Sequence, residues 1–139
     1  MIDWFKQQIG KESAQLSPSF TGRWLNGKLT GAEEGSLTVE FIVREEMLNP
    51  GQILHGGIAT TMMDDVMGMT VFSLGRKDFF ATINVSVDFL RPARLGDTVI
   101  AKSQVIRAGD SIINITCELS HTDGKTIARC TSNLVKTKF

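Results

Sequence analysis

Hydrophobic and polar positions alternate with two different periods along this chain, and the places where the period changes mark its elements. Ile2, Phe5, Ile9 and Leu16, with Trp4, stand among polar residues in the first sixteen positions, which predicts a short amphipathic helix weakened by Gly10 and ended by Ser17-Pro18. Residues 20–30 and 36–44 read as strands. In the second, Leu37, Val39, Phe41 and Val43 alternate with Thr38, Glu40, Ile42 and Arg44. Gly31-Ala32-Glu33-Glu34-Gly35 is the expected hairpin link between them, and residues 45–54 form a loop.

From Ile58 the period becomes helical. At about 100° per residue, Ile58, Ala59, Met62, Met63, Val66, Met67, Met69 and Leu74 spread over roughly half the circumference. Val71 and Phe72 fall outside that arc, and Thr70 and Ser73 fall inside it. So wide an apolar surface predicts a helix buried on most sides. Thr60, Thr61, Asp64, Asp65 and Gly68 share the remaining sector, with Asp64 near its middle and the small Gly68 one turn on. Gly75-Arg76-Lys77-Asp78 closes the helix.

A period of two returns over residues 80–91. Ile83, Val85, Val87 and Phe89 are expected to face the helix, and Thr82, Asn84, Ser86 and Asp88 the other side. Pro92 and Gly96-Asp97 end that strand. Residues 98–107, 111–121 and 126–137 follow as strands, the last two joined through Asp123-Gly124. The expectation is one α+β domain over residues 1–139, with residues 1–18 as an N-terminal helical extension. One long helix is wrapped by a curved antiparallel sheet whose last four strands run as a meander.

Composition narrows the function. The 139 residues are 42% hydrophobic and 22% charged, with zero formal net charge, which offers no broad basic field for nucleic acid. No apolar run is long enough to span a bilayer. The first residues lack the pattern of a secretory signal, so the expected location is the cytoplasm. Cys117 and Cys130 fall in predicted strands with no Cys-x-x-Cys or Cys/His cluster, which predicts reduced core residues and no metal site. His121 is expected at the surface beside a turn.

The chemistry concentrates in Asn49-Pro50-Gly51-Gln52-Ile53-Leu54-His55-Gly56-Gly57, a polar turn running into the long helix. Two glycines at a helix start leave N–H groups unhindered by side chains, and such groups attract negative charge. His55 stands beside them, and Asp64 follows on the helix. His55 and Asp64 are nine residues apart, a rotation of about 900° and a rise of roughly 13 Å along a helix axis. If both serve one site, a symmetric dimer would supply His55 from one chain and Asp64 from the other.

His55-Gly56-Gly57 with Asn49 before it and Asp64 after it resembles the hotdog-fold acyl-CoA thioesterases of the phenylacetyl-CoA-thioesterase (PaaI-like) type. So does the later Phe89-Leu90-Arg91-Pro92-Ala93-Arg94-Leu95-Gly96-Asp97. The resemblance spans roughly residues 20–137 and implies the hotdog fold, in which the sheet wraps the helix. It also implies hydrolysis of an acyl- or aryl-CoA thioester in a homodimer with shared sites, or a dimer of such dimers. In its terms the N–H of Gly56, with Gly57 beside it, polarises the thioester carbonyl, and Asp64 is general base or nucleophile. Asn49 and His55 orient the carbonyl and the loop, and Thr82 helps place the water.

Thiolate is a good leaving group, so a carboxylate and oriented N–H groups can suffice for such a reaction. No cofactor is expected beyond the coenzyme A that belongs to the substrate. Arg91, Arg94 and Arg107 are candidates for its phosphates, because guanidinium presents a fork of donors. Met62, Met63 and Val66 are candidates for the acyl pocket. Two other readings stay open: a hotdog enoyl-CoA hydratase or dehydratase, and a non-catalytic acyl-CoA-binding module in which Asp64 would be dispensable.

Overall fold

Three short helices open the chain where one was expected. In the computed structural model, which describes residues 1–138, these are α1 (Ile2–Gln7), α2 (Ser13–Leu16) and α3 (Phe20–Leu25). Gly10, at φ +94°, turns the chain after α1. Helix α3 occupies the start of what was expected to be the first strand. Local side-chain chemistry decides this. The Ser19 hydroxyl accepts the Gly22 N–H at 3.1 Å and caps the helix start. Asn26, left-handed at φ 51°, closes its end. Its aromatic residues Phe20 and Trp24 lie on the exposed side under the guanidinium groups of Arg23 and Arg44.

The remaining elements are β1 (Lys28–Glu33), β2 (Ser36–Ile42), a 3-10 turn (Glu45–Met47), α4 (Gly56–Ser73), β3 (Phe79–Phe89), β4 (Thr98–Ala108), β5 (Ile112–His121) and β6 (Thr126–Thr137). The first hairpin turns at Glu34-Gly35, with Gly35 at φ +76°, while Gly31 stays inside β1 at an irregularity opposite Thr38. All strand pairs are antiparallel, in the order β1-β2-β4-β5-β6-β3.

That order corrects the expected meander. Only β4–β5–β6 is one. The chain leaves α4 for the far edge of the sheet, where β3 pairs with β6, and the segment after Phe89 carries it back so that β4 lies beside β2. The long helix inside a single curved antiparallel sheet is otherwise as expected.

The core lies between α4 and the concave face. Met62, Met63, Val66 and Met67 are fully buried, against Leu37, Val39 and Phe41 of β2 and Ile113, Ile115 and Leu119 of β5. Each such side chain contributes roughly 1.5–3 kcal/mol by leaving water. Cys117 and Cys130 are free and buried in this core, directly opposite each other on β5 and β6. A small polar cluster is buried with them. Ser103 Oγ accepts the Leu37 N–H at 3.1 Å and lies 2.5 Å from Thr70 Oγ1, whose own bond to the Val66 carbonyl is 2.7 Å. It ties α4 to β2 and β4. Among the described residues no helix is long and apolar enough to cross a membrane.

Candidate active site

The loop before α4 is built by its own side chains. Asn49 Oδ1 accepts the N–H groups of Gly51 at 2.9 Å and Ile53 at 3.3 Å, an Asx-type turn, and Gln52 takes the left-handed φ of 62° that this turn needs. The His55 N–H donates to the Met47 carbonyl, and the Leu54 N–H donates to the Ala93 carbonyl, both at 2.8 Å. The second bond fastens the loop to the Arg91–Arg94 segment.

His55 is the N-cap of α4. Its Nδ1 accepts the Gly57 N–H at 2.9 Å, which leaves the ring proton on Nε2. Both glycines have a steric reason. A Cβ on Gly57 would stand 3.0 Å from the His55 ring, and one on Gly56 would stand 3.2 Å from the Phe89 ring. With the Gly57 N–H taken by His55, the Gly56 N–H has no acceptor among the described residues. It is an open donor at the positive end of an 18-residue helix.

Asp64 stands two turns further along α4. Its Oδ1 accepts the Thr82 hydroxyl at 3.0 Å. The expected alternation placed Thr82 on the side away from the helix. A bulge explains the difference: the β3–β6 register shifts between Thr82 and Asn84, so the strand spends an extra residue there. Phe80 and Thr82 face α4 before the shift, and Val85 and Val87 pack on the core after it. Ile83, expected to cover the helix, is 56% exposed.

Asp64, Asp65, Thr82, Gly68 and Met69 border a cavity of about 480 Å³, closed on the other side by Trp4 and Phe5 of α1 and the Leu16–Ser19 segment. Its lining is mainly apolar, and Phe72, Phe79 and Phe80 contribute. A side chain added at Gly68 would meet nothing within 4 Å, so this glycine leaves open space beside the carboxylates. Met63, a candidate for the acyl pocket, is fully buried in the core on another side of α4, as are Met62 and Val66, and none of the three lines this cavity. The N-terminal helices therefore form a wall of the cavity.

Asp65 lines the same cavity beside Asp64. Burial, reinforced by the neighbouring Asp64 charge, pushes its carboxyl up from 3.8 to about 6. The signal in the sequence was an acidic pair on a helix whose other faces are apolar.

The three arginines are not brought together within this chain. Arg91 donates to the Thr126 carbonyl at 3.0 Å, and the Arg94 N–H donates to Asp97 at 2.8 Å, both beside the entrance to α4. Arg107 is at the opposite end of β4, roughly 30 Å of strand from Thr98, with its guanidinium against Gly109. His121 has more to do than a surface residue. Its Nε2 donates to the Pro92 carbonyl at 2.9 Å and helps hold the Arg91–Arg94 segment. No group of three or more His, Cys, Asp or Glu side chains suited to a metal ion occurs among the described residues.

The sequence model of the thioesterase superfamily matches residues 51–128, the stretch from the polar turn to β6. Human acyl-coenzyme A thioesterase 13 is 27% identical over 106 residues, covering 74% of this chain and 76% of its own. The E. coli PaaI protein from the phenylacetic acid degradation operon has the same fold, with a TM-score of 0.85 at 23% identity over 99% of this chain and 97% of its own. A phenylacetic acid degradation-related protein from Ralstonia eutropha JMP134 superposes with a TM-score of 0.80 at 27% identity, over 95% of this chain and 98% of its own.

Proposed function

Because the chain belongs to the thioesterase superfamily, we propose that it hydrolyses acyl thioesters of coenzyme A at sites shared between two copies of the chain. The observation that carries this is the pairing of two devices on one helix: an open Gly56 N–H at its start, and a Thr82-bonded carboxylate, Asp64, facing an apolar cavity. The coenzyme A carrier is supported by the acyl-coenzyme A thioesterase relative and by Arg91 and Arg94 beside the α4 entrance.

Gly56 and Asp64 of one chain are eight residues apart, roughly 12 Å along the helix axis, too far to act on one carbonyl. Strand β3 offers the way to join them. It is an edge strand of eleven residues with Phe79, Ile83 and Phe89 exposed, and an unprotected edge of that kind favours pairing with a second copy. Thr82, which holds Asp64, lies on it. A two-fold axis at this edge would set one chain's helix start towards the other chain's Asp64.

In such a site the Gly56 N–H donates to the thioester oxygen and stabilises the negative charge that grows there. His55 fixes the direction of the helix entrance by holding Gly57. Asn49 Oδ1 is spent on the loop, which leaves its NH2 group as the donor for water or carboxylate. Asp64 takes a proton from water, whose oxygen adds to the carbonyl carbon. The C–S bond then breaks, and the acid and coenzyme A thiol leave. Alternatively the Asp64 carboxylate adds first, the C–S bond breaks and the coenzyme A thiolate leaves, and water then opens the resulting anhydride, restoring Asp64 and releasing the acid with the proton that completes the thiol.

The test is thiol release from a panel of aryl- and fatty-acyl-CoA esters by the wild type and Asp64→Asn. Turnover that collapses in the variant is the expected result. A folded wild type that releases no thiol from any ester would refute the proposal, and hydration of an enoyl-CoA would then identify the hydratase chemistry.

A further inference from the structure

We propose that Asp65 is a specificity-determining residue that accepts a hydrogen bond from a hydroxyl on the acyl group, a few bonds from the thioester carbon. This rests on reading the cavity at Asp64 as the acyl pocket of a thioesterase. Asp64 and Asp65 are neighbours on α4, so their side chains leave the helix about 100° apart and serve two walls of one cavity. Asp64 turns to β3 and is engaged by Thr82 at 3.0 Å. Asp65 turns to the N-terminal wall, where its oxygens would lie 3.3 and 3.4 Å from a Cβ placed on Gly22.

On that wall no N–H or O–H is hydrogen-bonded to Asp65. The Gly22 N–H goes to Ser19 Oγ at 3.1 Å, and Ser17 Oγ receives the Ser19 N–H at 3.1 Å. The lysine on the lining, Lys11, donates to Gln8 Oε1 at 3.0 Å. Among the described residues no hydrogen bond or ion pair reaches the Asp65 carboxylate. A half-buried carboxylate without a donor, facing a mainly apolar cavity, destabilises the empty protein, and a purely hydrocarbon acyl group would strip its remaining water without replacing it. A hydroxyl in the acyl group replaces that water. Because the two carboxylates are on consecutive residues, the hydroxyl belongs close to the carbonyl and not at the end of a long chain.

The experiment measures affinity with non-hydrolysable ketone analogues of a medium-length acyl-CoA, with and without a hydroxyl on the third carbon, by calorimetry. The wild type is expected to prefer the hydroxylated analogue by roughly tenfold or more, the usual worth of a hydrogen bond to a charged acceptor. Asp65→Leu should reduce the preference to about unity. If that variant does not fold, Asp65→Asn, of nearly the same shape, should reduce it several-fold. A wild type that binds both analogues alike, or a preference that survives in Asp65→Leu or Asp65→Asn, overturns the proposal. Thiol release from the matching esters is scored separately. A binding preference without turnover refutes the thioesterase reading and leaves the role of Asp65 standing. Turnover without preference does the reverse.

Discussion

Replacing Asp65 by Asn should make the protein more stable at neutral pH and leave it nearly unchanged in acid. The folded Asp65 carboxyl is raised from 3.8 to about 6, first by burial and then by the adjacent Asp64 charge. In the window between those values the folded chain still holds a proton that the unfolded chain has released. The stability this contributes is fully present below about 3.8 and is lost as pH rises through about 6. Above that, folding carries the cost of a poorly hydrated anion. Taken at full weight the displacement corresponds to roughly 3 kcal/mol. Asp65 keeps part of its hydration, so about 1–2 kcal/mol is the expected gain.

The assay is urea unfolding of wild type and Asp65→Asn at several pH values between 4 and 8, at one fixed protein concentration because dimerisation would add to the apparent stability. The difference should be near zero at the acid end, grow through pH 5–6 and level off above about 7. In a domain of this size it amounts to a melting shift of roughly 2–8 °C on the plateau. A difference independent of pH, or an Asn variant less stable than wild type at pH 7.5, would refute the argument. A stability gain coupled to lost discrimination between acyl groups would mean that the carboxylate is retained for function at the expense of stability.

Thr82→Val removes the hydroxyl that Asp64 Oδ1 accepts, and kcat for thioester hydrolysis should fall roughly tenfold with little change in KM; an unchanged kcat would remove Thr82 from the site. Gly56→Ala places a Cβ 3.2 Å from the Phe89 ring. Because that ring is 57% exposed and can move, the expected result is a folded protein with a displaced helix entrance and reduced turnover, partly restored by adding Phe89→Ala; unchanged turnover in the single variant would argue against Gly56 as the carbonyl donor. Ser103→Ala leaves the buried Leu37 N–H and Thr70 hydroxyl without this partner and should cost about 1–3 kcal/mol in urea unfolding; a neutral result would show that the cluster is not what joins α4 to the sheet.

Patterns carried by many residues were legible in the sequence. The apolar circumference of α4 and the clean alternation of Leu37, Val39, Phe41 and Val43 each repeat a signal several times, and the burial of those β2 and linker residues follows it. Features set by one or two residues were not. A single shift at Ile83 reverses the face of Thr82, and periodicity cannot register one extra residue in a strand. Ser19 and Asn26 convert an apparent strand into α3 by capping it. The place of β3 beside β6 is a long-range choice with no local signature. The cavity is assembled from residues of α1, α2, α4 and β3, so its shape depends on how these segments pack together and not on the pattern of any one of them. The helix entrance was more accessible because its parts, Asn49 to Gly57, are contiguous and bond largely to each other.

The shared site can be tested without knowing the natural acyl group. If Asn49 and Gly56 of one chain work with Asp64 of the other, then Asn49→Ala and Asp64→Ala damage opposite contributions to each site. Each variant alone forms dimers in which both sites are defective. Co-folding equal amounts lets about half the dimers pair one chain of each kind. In these, one site receives both lesions and the other receives none, because the Asp64→Ala chain brings an intact Asn49 and the Asn49→Ala chain an intact Asp64. Total activity should therefore recover to about a quarter of wild type, against almost none for either parent. A site contained within one chain cannot do this: every chain in the mixture carries a lesion in its own site, and mixing would yield only the average of the parents. Demonstrating mixed dimers by differential tagging, with no activity above that average, would rule out the two-chain arrangement proposed from the rise of roughly 12 Å between Gly56 and Asp64.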